Sequence, residues 1–219
     1  MDLNHILITS LMAIIPLVFA ITIHEAAHGY IAKYRGDNTA YKLGRVSLNP
    51  VSHIDLIGTI IVPGLMLIGS LASGFPFIFG WAKPVPINYS NLKNPRLDIA
   101  LVAIAGPLAN FLMAIIWAII AKYITSYPYI QGMAFYGVMI NIVLMILNLL
   151  PIPPLDGSKI VASFLPKAIA YKYSNLQKYG FYILFALVLI PFNGSNLLFT
   201  IMKPFINIII NIIQLIIFY

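Results

Sequence analysis

The residues in this chain best placed to do chemistry are His24-Glu25-Ala26-Ala27-His28, and Glu25 is its sole glutamate. On a helix, side chains four apart share a face, so His24 and His28 can grip one zinc ion while Glu25 stands beside it as a general base. The surrounding stretch is apolar, where a charged side chain is costly and seldom present without a task. The plain alternative is two satisfied core histidines and a solvated acid.

A catalytic zinc takes three protein ligands and keeps one position open. The remaining acids are Asp2, Asp37, Asp55, Asp98 and Asp156. Asp2 is terminal, while Asp37, in a basic loop, and Asp98, beside Arg96 at a helix start, read as ordinary interfacial charges. Asp156 differs, because it ends the uncharged run 123–155 in Asn148-Leu149-Leu150-Pro151-Ile152-Pro153-Pro154-Leu155-Asp156-Gly157. The prolines break a helix there, so the carboxylate can project inward from irregular backbone lining a cavity. An interfacial acid at a helix end is the alternative.

The elements that must position these groups are membrane helices. The 219 residues are 61% hydrophobic and 9% charged, against roughly 25% charged in soluble domains. The expected fold is therefore an all-α polytopic membrane protein, one membrane-embedded domain over 1–219 with a catalytic core at about 3–160 and further hydrophobic segments in 165–219. Cys is absent, which excludes disulfides and thiolate chemistry. The net charge of +7 comes from basic residues scattered through short loops, so it points to orientation in a lipid bilayer and not to nucleic acid. No cleavable signal peptide is expected at the N-terminus.

Uncharged runs cover 3–24, 56–82, 99–121, 123–155, 179–202 and 204–219, giving about five to six hydrophobic segments. The first helix is expected to reach Tyr34 and to stop at Gly36-Asp37-Asn38. Two more spans are expected at 99–121 and 134–152, and Lys203-Pro204 is expected to interrupt the C-terminal third. Segment 56–82 carries many helix breakers, among them Pro63, Gly64, Gly74 and Pro76. A single crossing there would put His24 and Asp156 on opposite faces of the bilayer, whereas a re-entrant hairpin brings them together. Re-entry also gathers nearly every basic residue on one side, leaving Lys122 and Lys203 on the other. That agrees with the positive-inside rule and places the polar site near the cytoplasmic face of the cell membrane.

The chain resembles the site-2 protease family of intramembrane zinc metalloproteases, in the short prokaryotic form without PDZ or CBS domains. Four pieces carry the likeness over roughly residues 20–160: His24-Glu25-Ala26-Ala27-His28, Gly80-Trp81-Ala82-Lys83-Pro84-Val85-Pro86, Gly106-Pro107-Leu108-Ala109-Asn110 and Pro153-Pro154-Leu155-Asp156-Gly157. The resemblance implies one catalytic zinc with Asp156 as third ligand. It implies endopeptidase activity on peptide bonds in or beside transmembrane helices of other membrane proteins. Glu25 is then the base that deprotonates water and returns the proton to the leaving amine.

A helical substrate must be unwound and held extended, and edge-strand pairing is the natural device. Short β-like edges are expected near 40–48 and 82–88, with an ordinary interfacial loop as the alternative in each case. Asn110 could bind the substrate backbone or a developing oxyanion, or serve as interhelical glue; the resemblance favours the former. Asn148 carries the same two readings. His53 and Asp55 could form an accessory site, or simply a helix cap or an interfacial pair. An ion transporter would spread its acids along several spans, whereas here they converge on one set. An inactive scaffold or chaperone would not need all three ligands and the base.

Overall fold

The computed structural model describes residues 3–62 and 82–218. Its helices are α1 (Leu3–Tyr34), α2 (Thr39–Lys42), α3 (Pro95–Tyr123), α4 (Pro128–Leu149), α5 (Asp156–Phe164), α6 (Lys167–Ser174), α7 (Gln177–Leu189) and α8 (Leu197–Phe218). A two-stranded antiparallel hairpin, β1 (Pro191–Phe192) and β2 (Ser195–Asn196), joins α7 to α8. Among the described residues, four helices are long and apolar enough to cross a membrane: Ile8–Tyr34, Pro95–Tyr123, Pro128–Leu149 and Leu197–Ile217. The chain is thus all-α and polytopic, as its composition requires.

Helices α1, α3 and α4 pack against one another and form the frame of the site. On one side, Ala114 and Ala118 of α3 meet Ile142 and Ile146 of α4 and Met202 and Ile206 of α8. Small residues let the helix backbones approach closely, which is how membrane helices associate without a hydrophobic drive between them. Pro16, Pro107 and Pro204 each lie inside a helix. Pro204 therefore does not interrupt the C-terminal third: membrane helices tolerate proline because neighbouring groups satisfy the freed carbonyl. Lys203 lies near the start of α8, while Ile217 at the other end gives its carbonyl to the Lys122 ammonium. Lys203 thus belongs to the half of the bundle opposite Lys122, against expectation.

The re-entrant course expected for 56–82 lies largely outside the described residues. Its two ends are joined, however, since the Lys83 amide donates to the His53 carbonyl at 3.0 Å. Residues 40–48 are not an edge strand. They begin with α2 and close in a turn in which Arg45 N–H bonds Ala40 O at 2.9 Å, with Gly44 at φ +66°. Segment 82–88 is also neither helix nor strand.

Asp37 and Asp98 are not ordinary solvated charges, for both are fully buried within the protein. Asp98 receives Arg35 Nε at 2.5 Å and the Asn94 amide at 2.7 Å, which locks the end of α1 to the start of α3. Gly36, at φ +113°, ends α1 and swings Asp37 inward. The Asp37 carboxylate then accepts from the Thr39 amide and hydroxyl, the Asn91 side chain and the Asn88 amide. Burial alone pushes this carboxyl up, but those hydrogen bonds outweigh it and hold it below the usual carboxylate range.

A depressed native pKa contributes stability above the unfolded value of about 3.9 that is lost as pH falls below it. Thermal unfolding in detergent should therefore show wild type losing stability from pH 5 to pH 3. Asp37→Ala should start about 2–4 kcal/mol less stable at pH 7 and show a shallower loss over the same acid range.

Candidate metal centre

His24 and His28 lie on the buried face of α1, and Asp156 opens α5 just after the irregular stretch that ends α4. Proline breaks the helix as expected, but the carboxylate sits on the first helical residue beyond the break. The three side chains offer ligand atoms that all lie within 4.8 Å of one another. Nε2 of His24 and Nε2 of His28 are 3.0 Å apart, and Asp156 Oδ2 is 3.2 Å from the first and 3.1 Å from the second.

The backbone dictates which ring nitrogens carry protons. His28 Nδ1 lies 2.7 Å from the Val102 carbonyl, which only accepts, so Nδ1 is protonated and Nε2 presents a lone pair. For His24 the same result travels through two amides. Asn141 Nδ2 donates to the Gly137 carbonyl at 2.8 Å, which turns Asn141 Oδ1 toward Asn110. Asn110 must then present its NH2 to Asn141 at 3.0 Å and to the Ala20 carbonyl at 3.2 Å. Its oxygen is left facing His24 Nδ1 at 2.5 Å, so that nitrogen too is a donor. In the neutral rings, two Nε2 lone pairs therefore converge with a carboxylate oxygen.

Such a group fits a cation. In tetrahedral coordination with bonds near 2.0–2.1 Å, ligand atoms stand about 3.3 Å apart, close to the triangle observed, and two imidazoles with one carboxylate form a zinc donor set. Gly106 of α3 makes the approach feasible: a Cβ there would lie 2.5 Å from Nε2 of both histidines. The other carboxylate oxygen, Asp156 Oδ1, takes Lys159 Nζ at 2.8 Å, leaving Oδ2 for the metal.

Glu25 is half-buried on the same helix, and its Oε2 accepts the Val85 amide at 2.7 Å. Segment 82–88 thereby lies against the base, pinned further by Arg45 Nη2 on the Lys83 carbonyl at 2.9 Å. Val46 and Val85 both pack at Gly29 of α1. The two stretches expected to be edge strands thus both border the site without being strands.

Asn148 is not brought to the group; its Nδ2 donates to Leu144 O within its own helix at 3.0 Å. The His53 ring Nε2 bonds Ser47 O, 2.8 Å away, and Asp55 caps the following turn through the Gly58 amide at 2.7 Å. The capping alternative therefore describes Asp55. Sequence reasoning missed Asn141 and Lys159. An Asn within a long apolar stretch was the available signal for Asn141, and the i,i+3 spacing from Asp156 the signal for Lys159.

The chain is similar in sequence to known zinc metalloproteases. The model of peptidase family M50 matches residues 125–191, a stretch that includes Asp156 but not the histidines. The chain is 37% identical over 194 residues to "Putative zinc metalloprotease YwhC" of Bacillus subtilis, covering 84% of this chain and 83% of that protein. It is 25% identical over 178 residues to "Putative zinc metalloprotease Rip2" of Mycolicibacterium smegmatis, covering 80% of this chain and 65% of the relative. Zinc metalloprotease MJ0392 of Methanocaldococcus jannaschii is 24% identical over 159 residues, with 71% of this chain and 34% of that protein covered. No solved structure matches the chain.

Gly106→Ala should expel the imidazoles from their shared position, leaving purified protein helical by circular dichroism but nearly free of zinc. Asn110→Leu removes the acceptor that orients His24 and should weaken zinc binding about 10–100-fold, the usual effect of losing a group that hydrogen-bonds a metal ligand. Competition with a chromogenic chelator reads both.

Proposed function

Because the chain belongs to peptidase family M50, the site-2 protease family, we propose that it is a zinc-dependent intramembrane endopeptidase cutting peptide bonds in or beside the transmembrane helices of other membrane proteins. The observation that carries this reading is the His24–His28–Asp156 triangle, set among membrane-spanning helices with Glu25 one residue from a ligand.

His24, His28 and Asp156 are the residues that would hold zinc. When bound, zinc polarises a scissile carbonyl and activates water for attack. Glu25 takes the proton that water gives up and delivers it to the departing amine, and the Val85 amide fixes the carboxylate for both transfers. Lys159 neutralises Asp156 and keeps one of its oxygens turned away from the metal position. The low-dielectric surroundings strengthen each of these interactions relative to water.

Segment 82–88 is the natural rest for an unwound substrate. Among its described neighbours, Val85 O and Ile87 N–H have no hydrogen-bond partner, so they can pair with an extended chain beside Glu25. Pro84 and Pro86 keep the segment from being absorbed into a sheet of its own. Lys33, Arg35, Lys83, Lys93 and Lys159 all cluster at the site's end of the bundle, while Lys122 marks the other end. By the positive-inside rule, the site lies near the cytoplasmic face of the cell membrane.

Purified enzyme should cleave a model single-pass peptide in lipid nanodiscs, and a zinc chelator should stop it. Glu25→Gln should keep stoichiometric zinc yet lose about 10²–10⁴-fold in rate, the range for a positioned acid–base group. Undiminished cleavage by Glu25→Gln, or by zinc-free protein, would overturn the assignment.

A further inference from the structure

Helix α8 buries Met202, Ile206, Ile213 and Ile217 against α3 and α4, and shows the surroundings mostly Ile, Leu and Phe, as a lipid-facing helix should. One line of residues breaks that pattern. Lys203, Asn207, Asn211 and Gln214 are all exposed, and their spacings of four, four and three put them on a single face. They extend over about 16 Å of helix at 1.5 Å per residue, through the middle of a segment long enough to span the bilayer. Among the described residues, none of the four makes a side-chain hydrogen bond or ion pair, whereas Asn110, Asn141 and Asn148 all do. An amide turned to hydrocarbon without a partner is costly, so this line must be covered in the membrane.

We infer that the line is the contact between two copies of this chain, paired α8 to α8 about a two-fold axis along the membrane normal. Two copies inserted in the same orientation can share only such an axis, and it sets equal depths opposite each other: Asn207 against Asn207, Asn211 against Asn211, Gln214 against Gln214. An amide carries both donors and an acceptor, so each pairs with its own copy and no second chemistry is needed. Lys203 lies toward the start of α8, where its long side chain reaches the headgroups and the two ammonium groups need not meet. A substrate helix is the weaker occupant. Helix α8 packs mainly on α4 and α3, whereas the histidines lie on α1, so a helix lying on the amide line is not thereby brought to the metal.

The chain has no cysteine, so single introduced cysteines report contacts without background. In native membranes, Asn211→Cys, which leaves the other two amides in place, should form a disulfide-linked dimer under mild oxidation. Phe205→Cys, on another face of α8, should not. In analytical ultracentrifugation, wild-type protein should sediment at twice the protomer mass. The triple variant Asn207→Leu/Asn211→Leu/Gln214→Leu should sediment as a monomer with zinc content unchanged. A monomeric wild type without the Asn211→Cys product would overturn the inference. So would equal crosslinking at 205 and 211, or an Asn211→Cys disulfide formed solely with a different protein.

Discussion

Two imidazole nitrogens and a carboxylate oxygen meet 3.0–3.2 Å apart inside an apolar bundle, and with the rings neutral their lone pairs converge as a bound cation requires. Much else in the described structure serves that meeting. The histidines come from α1 and the carboxylate from the first residue of α5, more than 120 positions later. Helix α3 lies between them in sequence and gives way at Gly106, where a methyl group would collide with both imidazoles. The ends of α1 and α3 are in turn fixed by the buried Arg35–Asp98 pair, and the loop after α1 by Asp37.

Outside the triangle, the polar groups act by direction more than by strength. Backbone carbonyls cannot donate, and this one-way property passes from Gly137 through Asn141 and Asn110 to a ring nitrogen of His24. Each amide in that chain has both of its ends committed. A leucine at position 141 would leave the chain unanchored while touching no ligand. Val85 acts likewise on Glu25, since its amide can only donate and so keeps a carboxylate oxygen in one place. The geometry of this site is thus tied to the main chain, the most rigid source of hydrogen bonds in an apolar bundle.

Much of this was legible from residue types and spacing. His24, Glu25 and His28 share a helix face by simple periodicity, and Asp156 stood out because it closes a long uncharged run just after helix-breaking prolines. What stayed hidden depends on partners remote in sequence. Asp98 has Arg96 as its neighbour in the chain but Arg35 as its partner in space, and Asp37 finds Asn88 and Asn91 more than fifty positions away. The β-formers in 40–48 gave a misleading signal, because local i→i+4 bonds from Asn38 and Thr39 and the positive φ of Gly44 close the chain into a turn. Pro204 misled for a different reason: rules for helix breaking learned in water overstate the effect of proline inside a packed membrane helix.

Zinc K-edge X-ray absorption of the purified protein tests the ligand triangle most directly. If His24, His28 and Asp156 hold the ion, the spectrum of wild type shows a four-coordinate site with two imidazoles and oxygen donors at about 2.0–2.1 Å. Asp156→Ala then changes the oxygen shell while both imidazole signatures remain. A site with one imidazole or none, or a spectrum indifferent to Asp156→Ala, would contradict the convergence of these three side chains on one metal.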